Sequence, residues 1–175
     1  MTQNTLLIIF SLFLLGCASI DTRDIEFISE ANPGFHLNGY GSYAWGGSAA
    51  LVFDINGRWE PPDYDLDAEI KFLIDTEMRD RGLVENSSNP DLILGFATIV
   101  DIRTMQLLQD PDASLDLLER TLPLGALNVT FVDARTGYVV WMGVAIADID
   151  ETPDPELSRK RIQYAVSNML DLVPE

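Results

Sequence analysis

Apolar residues recur at helical spacing in two separate segments of the chain. Within residues 66–81 they fall on one face, with charged residues between them, which predicts an amphipathic helix. Asp65 or Asp67 suits the N-terminal cap of this helix, and Gly82 suits its end. A second helix is predicted after the Asp154-Pro155 pair, which is typical of a helix start. Its apolar stripe comprises Ile162, Ala165, Val166, Met169, Leu170 and Val173.

Strands are predicted where apolar and polar residues alternate. Residues 124–132 and 138–147 form the two arms of a predicted hairpin, because the turn-rich segment 133–137 lies between them. Residues 91–101 are apolar on both faces, which predicts a central strand covered on both sides. Shorter extended pieces are expected at 24–29, at 42–45 before Gly46-Gly47, and at 51–55 before Asn56-Gly57.

The order of these elements is strands, helix, strand, hairpin and helix. This order predicts an α+β two-layer sandwich, in which a mostly antiparallel sheet carries two helices packed on one face. Residues 102–123 fit the scheme least, and we interpret them as an excursion or lid over the sheet.

The N-terminal segment has a different character. Residues 6–15 are apolar apart from Ser11 and, as a helix, cover roughly 15 Å, half of a ~30 Å hydrocarbon core. This length disfavours a retained membrane anchor and is typical of a signal-peptide h-region. The string Leu14-Leu15-Gly16-Cys17 that follows resembles the lipobox of bacterial lipoproteins, in which the cysteine is lipidated and becomes the first residue. Ordinary secretory cleavage after Ala18 is the alternative.

The lipobox interpretation divides the chain into three parts. Residues 1–16 are the removed signal peptide, residues 17–23 a lipidated N-terminus and short tether, and residues 24–175 a single domain. Cys17 is then the lipidation site and the membrane partner is reached through its acyl chains, palmitate among them. Since the residue after Cys17 is not aspartate, resemblance to such lipoproteins implies the outer membrane, facing the periplasm.

Composition narrows the possible partners. The formal net charge is −17, from 28 acidic and 11 basic residues, which disfavours nucleic acid because its phosphates need Lys and Arg. Cys17 is the only cysteine, so a disulfide or a thiolate metal site is not expected. No cofactor-binding motif is present. Glycine-rich pairs lack the strand–turn–helix setting of a phosphate loop.

Several motifs occur in a characteristic order behind the lipobox. They are Tyr43-Ala44-Trp45, Arg81-Gly82-Leu83, Pro90-Asp91-Leu92, the hairpin Asp133-x-x-Thr136-Gly137-x-x-Val140-Trp141-x-Gly143-x-Ala145, and Leu172-Val173-Pro174. Together they resemble the bacterial lipoproteins catalogued as domain of unknown function 4136, over roughly residues 24–174. The resemblance implies an outer-membrane lipoprotein and carries over no catalytic residue.

The aromatic motif residues permit two interpretations. Trp45 and Trp141 are first expected to be core or sheet-face residues, and Gly143 to mark a bulge or close packing against a helix. The functional alternative is an aromatic-lined groove between sheet and loops that takes an apolar ligand or peptide.

Three polar features are candidates for chemistry or binding. Asp63, Asp65 and Asp67 have the alternate spacing that opens a calcium loop, but Ala68 and Ile74 stand where glycine and glutamate are required, so an acid-rich helix start is favoured. His36 is the only histidine, and no nucleophile motif lies near it. The basic run 159–161 is expected to be solvent-exposed and paired with nearby acidic residues. The alternative is a docking site for an acidic partner or the membrane surface.

These observations lead to a functional hypothesis. We expect a non-enzymatic lipoprotein that binds an envelope protein or component through its sheet edge or the groove under residues 102–123. One alternative is a ligand- or Ca²⁺-binding lipoprotein that uses residues 63–69. A carboxylate-dependent cell-wall hydrolase is the third, although no carboxylate pair is singled out.

Overall fold

The computed structural model describes residues 20–52, 59–100, 124–149 and 154–175. Six strands and two long helices occur in these ranges. The strands are β1 (Glu26–Ala31), β2 (Ser42–Val52), β3 (Val84–Glu85), β4 (Leu92–Val100), β5 (Leu124–Asp133) and β6 (Val139–Asp148). The helices are α1 (Leu66–Asp80) and α2 (Pro155–Leu170), and a short 3-10 turn spans Leu37–Gly39. Cys17 and the segment 102–123 lie outside the described residues.

The strands form one sheet in the order β1-β6-β5-β4-β2-β3. The pairs β1–β6, β6–β5 and β5–β4 are antiparallel, whereas β4–β2 and β2–β3 are parallel. The parallel β2–β4 pair requires a crossover, and α1 lies in that connection. The predicted α+β sandwich with a mostly antiparallel sheet is confirmed, and β4 is an inner strand as expected.

Both helices begin at the caps that the sequence indicates. The Asp65 side chain accepts the Ala68 backbone N–H at 2.9 Å, and the Asp154 side chain accepts the Leu157 N–H at 2.8 Å. After α1, Gly82 adopts a positive φ of 85°, a conformation that costs glycine little. Local sequence therefore determines where each helix starts and where α1 ends.

Strand β2 corrects the prediction of separate short strands at 42–45 and 51–55, of which residues 53–55 lie outside the described residues. It runs without a break from Ser42 to Val52, and its pairing register with β4 shifts between Trp45 and Gly47. The Gly46-Gly47 pair therefore makes a β-bulge rather than an end to the strand. Position 46 requires glycine, because a Cβ there would lie 2.7 Å from Ile93 Cγ2 of the neighbouring strand.

Strand β4 is covered less than its sequence indicates. Leu92, Leu94 and Phe96 face the helices and are buried, while Ile93 and Ile99 on the other face are half-buried by the described residues. Apolar residues on that second face pack mainly on one another across neighbouring strands, as Ile99 does with Leu124 and Ala126. The expectation of full cover on both sides is wrong for the described part of the protein.

The core between sheet and helices is centred on Trp141. Its ring lies 4.8 Å from that of Phe131, centroid to centroid, and both side chains are fully buried. Gly143 makes room for this packing. A Cβ there would lie 2.8 Å from Trp141 Cζ2 and 2.8 Å from Met169 Cγ of α2. The Trp141-x-Gly143 motif is therefore a packing signature, as the structural interpretation predicts.

Helix α1 is attached to β2 by a partly buried carboxylate. Asp75 accepts hydrogen bonds from Tyr43 Oη at 2.8 Å, Trp45 Nε1 at 2.9 Å and Lys71 Nζ at 2.9 Å. The Lys71 ammonium also lies 5.0 Å from the centre of the Trp45 ring. Burial by itself raises the pKa of Asp75, but these hydrogen bonds outweigh it and lower that pKa below 3.8. The Tyr-Ala-Trp motif thus holds a helix rather than lining a groove.

The lowered pKa of Asp75 predicts an acid-dependent contribution to stability. Because the folded state favours the charged carboxylate, its contribution is present above the ordinary pKa of 3.8 and is lost as the pH falls through the lower folded value. Asp75→Asn should lower the free energy of unfolding by about 1–2 kcal/mol at pH 7, and by less near pH 3. Asp80→Asn, at the exposed end of α1, is the control. Urea unfolding at both pH values measures this, and an equal loss at both would contradict it.

The packing at Gly143 predicts a second stability effect. Gly143→Ala should destabilise the fold by about 2 kcal/mol, because the added methyl group overlaps Trp141 and Met169. For a domain of this size, that corresponds to a fall in Tm of roughly 4–8 °C. Gly39→Ala is the matched control, since nothing lies within 4 Å of a Cβ at Gly39. Thermal unfolding by circular dichroism tests this, and equal Tm values for the two variants would refute the packing role.

Candidate functional site

Side-chain size changes along the helix-facing side of the sheet. At one end this side carries Leu94, Phe131 and Trp141, which fill the space beneath the helices. At the other end the paired positions of β5 and β6 are Gly125 and Ala147. Gly125 makes room for the Ile149 side chain, since a Cβ there would lie 2.8 Å from Ile149 Cγ2, and the small side chain of Ala147 lies beside it.

A cavity of about 750 Å³ occupies this end of the described structure. Its sheet wall comes from the ends of β4, β5 and β6, and its helix wall from the first turns of α1 and α2. The apolar lining includes Ile25, Trp59, Leu66, Ile70, Leu127, Ala145, Ala147, Leu157, Ile162 and Ala165. Its volume lies within the range of small-molecule sites, which are mostly apolar with a few polar groups.

The side chain of Arg161 holds three segments together at the edge of the cavity. It donates from α2 to both Asp24 carboxylate oxygens, at 2.5 and 3.1 Å, and to the backbone oxygens of Asp21 and Asp148. The bond from Arg161 holds the pKa of Asp24 below its ordinary value. This arrangement, here called the Arg161 clamp, joins the N-terminal segment to α2 and to the end of β6.

The other members of the basic run also have partners. Lys160 forms an ion pair with Glu156 at 2.7 Å, one turn earlier in α2. Arg159 lies over the ring of Tyr64, with its guanidinium carbon 4.3 Å from the ring centre. Residues 159–161 therefore serve internal contacts, as the structural interpretation predicts, and the docking alternative gains no support.

Charged residues at the cavity are predominantly acidic. Asp21, Asp24, Asp148 and Asp154 line it, against the two arginines Arg23 and Arg161. Both arginines are paired with aspartates of this set, Arg23 with Asp21 and Arg161 with Asp24. The cavity therefore combines an apolar interior with a net negative set of charges.

The aspartates of the two turn motifs have structural roles. Asp91 accepts from the Gly41 N–H at 3.0 Å and from the Ser42 hydroxyl at 2.8 Å. Asp133 accepts from the Thr136 N–H at 2.7 Å and from the Tyr40 hydroxyl at 3.2 Å. Hydrogen bonds from Ser42 and Thr136 lower the pKa values of Asp91 and Asp133, respectively. The ionised form of both carboxylates is therefore favoured in the fold.

His36 lies at a polar surface groove close to Asp91 and Asp133, far along the sheet from the cavity. Its Nδ1 lies 2.9 Å from the backbone oxygen of Glu175. The neighbouring Leu37 N–H donates to the Pro174 oxygen at 2.8 Å. His36 therefore helps to hold the C-terminal residues against the 3-10 turn.

The aspartates of the possible calcium loop point to local contacts. Asp65 caps α1, and the Asp67 carboxylate accepts from the Ser48 hydroxyl at 2.6 Å. Asp63 lies in the same segment and is exposed. No cluster of three or more potential metal ligands occurs within the described ranges. The acid-rich helix start is the interpretation that the contacts support.

The two edges of the sheet differ. Edge strand β1 carries Glu26 and Glu30, charges of the kind that protect an edge against added strands. On the other edge β3 pairs only with Ser42 and Tyr43, so the outer side of β2 beyond them has no neighbouring strand in the described part of the chain. That stretch contains no charged residue.

No helix in the described part is long and apolar enough to cross a bilayer.

Sequence reasoning missed the cavity and the Arg161 clamp. Ala145 and Ala147 are the sequence signal for the cavity, because they place small residues at the end of a strand that carries Trp141. The pairing of Arg161 with Asp24 joins residues 137 positions apart, and no local pattern indicates it.

Solved structures of other proteins share this fold at low sequence identity. A PDZ domain protein from Parabacteroides distasonis aligns with a TM-score of 0.55 and 16% identity, over 85% of this chain and 36% of that one. The PelC dodecamer structure from Paraburkholderia phytofirmans, in space group P6, aligns with a TM-score of 0.50 and 13% identity, over 85% of this chain and 97% of that one. At these identities the likeness concerns the fold.

Sequence comparison with families agrees with the motifs. No curated protein matches the chain significantly. The family model described as Domain of unknown function (DUF4136) matches residues 28–174, which include both helices and nearly the whole sheet. The chain therefore belongs to the DUF4136 family.

Proposed function

We propose that this protein is a lipoprotein of the bacterial outer membrane, anchored through Cys17, that works as a binding module and not as an enzyme. Its binding site is the cavity between the sheet and the first turns of the helices. The single observation that carries the proposal is the apolar volume of about 750 Å³ at this end, beside a core that is otherwise filled.

The cavity has the character of a site and not of a packing defect. The cavity is half open to solvent, so it is a cleft at the end of the core and not an enclosed void. The small side chains of Ala145 and Ala147 line its sheet wall, and the Arg161 clamp holds the wall beside it. Such an arrangement is stabilised further when an apolar ligand restores the missing contacts.

The charges around the cavity define the ligand class. Four aspartates and two arginines favour a polar group that is neutral or positively charged over an anionic one. The ligand is therefore an apolar group joined to an uncharged, zwitterionic or cationic head.

The carboxylates of the domain support binding rather than hydrolysis. Five described aspartates have clearly displaced pKa values, and all five are lowered: Asp21, Asp24, Asp75, Asp91 and Asp133. A carboxylic acid that donates a proton in glycoside cleavage needs a raised pKa. The calcium alternative is weakened likewise, since Asp65 and Asp67 already bind Ala68 and Ser48.

Filling the cavity should abolish binding of a small apolar probe. Ala147→Trp places a large ring in the space, whereas Ala31→Trp makes the same change at an exposed position at the far end of β1. We expect the Kd for the neutral dye N-phenylnaphthylamine to rise at least about tenfold in Ala147→Trp, equivalent to about 1.4 kcal/mol, and to stay unchanged in Ala31→Trp. Fluorescence titration measures this, and equal affinities in the two variants would disprove the site.

The anchor has its own test. Cys17→Ala removes the thiol that would carry the lipid. In cells fed with labelled palmitate, the wild-type protein should take up label and fractionate with the outer membrane, and the Cys17→Ala protein should do neither. In-cell crosslinking of the same pair then shows whether an envelope protein partner depends on the anchor. Labelling of Cys17→Ala, or its presence in the outer-membrane fraction, would overturn the lipid-anchor assignment.

A further inference from the structure

The position of the cavity relative to the proposed anchor restricts what can reach it. The cavity wall includes Asp21, Arg23, Asp24 and Ile25, which lie in the segment before β1. Cys17 precedes Asp21 by four residues, so even a fully extended chain separates them by no more than about 14 Å. If Cys17 carries acyl chains inserted in a bilayer, the cavity lies at the bilayer surface.

We propose that the cavity takes an acyl chain of a zwitterionic phospholipid from the membrane in which Cys17 is anchored. This inference rests on the proposed function and names its ligand. The geometry that carries it is the juxtaposition of an apolar cavity with a wall segment tied closely to the anchor.

Transfer from the adjacent bilayer avoids the main barrier to lipid binding. Every methylene group exposed to water is unfavourable, so a chain that crosses water to a distant site is slow to leave the membrane. A cavity held at the surface exchanges one apolar environment for another. The apolar side chains Leu66, Ile70, Leu157 and Ile162 supply that second environment.

The charges select the head group. Phosphatidylethanolamine carries an ammonium group beside its phosphate, and the aspartates near the cavity attract the first. Phosphatidylglycerol carries only a negative charge, which the net acidic set and the acidic protein as a whole repel. Arg23 and Arg161 offset the charges of Asp21 and Asp24, with which they pair, so the net negative charge at the cavity comes from Asp148 and Asp154.

The test uses the full-length, processed protein in vesicles of phosphatidylethanolamine and phosphatidylcholine. A trace of phosphatidylethanolamine carries a photoactivated diazirine near the end of one acyl chain. After irradiation, mass spectrometry should place the label on peptides from the cavity wall, such as those holding Ile70 or Ile162. Ala147→Trp should reduce this label at least fivefold, and Ala31→Trp should not change it.

A second cavity variant and a second lipid probe make the outcome of the test decisive. Ser158→Trp narrows the cavity from the helix side and replaces Ala147→Trp if that variant fails to fold. A phosphatidylglycerol probe should give several-fold less label, and equal or stronger labelling would overturn the head-group assignment.

Label confined to residues 17–20 would show surface proximity only and overturn the proposal. If wild-type protein binds N-phenylnaphthylamine but takes no label in the cavity, the lipid inference fails while the proposed function stands. If neither probe binds, both fail.

Discussion

The packing of Trp141 against Phe131 and Met169 sets the spacing between the two layers. Gly143 leaves room for the Trp141 ring and for Met169 of α2, and Asp75 ties α1 to β2 on the same side. Two rigid helices held at this distance cannot also collapse onto small residues farther along the sheet. The cavity beside Ala147 is therefore a consequence of how the other end is filled.

Contacts between charged side chains also hold the fold together. A chain with a net charge of −17 must disperse its repulsion, and several basic side chains in the described part of the chain make internal contacts. Arg161 joins three segments, Lys71 neutralises Asp75, and Arg159 covers Tyr64. The lowered pKa values of the paired aspartates follow from these contacts. For the anchor proposed at Cys17, the membrane contact comes from acyl chains, because a net acidic protein gains little from electrostatic attraction to anionic lipids.

Local sequence predicted those features that depend on neighbours along the chain. The caps of both helices, the apolar faces of α1 and α2, the β5–β6 hairpin and the central position of β4 all follow from short-range pattern. From the sequence, the Gly46-Gly47 pair is predicted to end a strand, although glycine permits both a turn and a bulge. Only the pairing with β4 shows that a bulge forms here. Full cover of β4 was expected from composition alone, which does not say where the helices dock.

The sequence by itself determined the family and the α+β class, and its lipobox-like string predicts lipidation at Cys17. Only the tertiary structure decided that Trp45 binds Asp75, that Arg161 binds Asp24, and that a cavity lies beside Ala147. The physical reason is distance along the chain. A cavity or an ion pair between residues more than a hundred positions apart exists only once the sheet register and the helix spacing are set, and no periodicity within either segment encodes that arrangement.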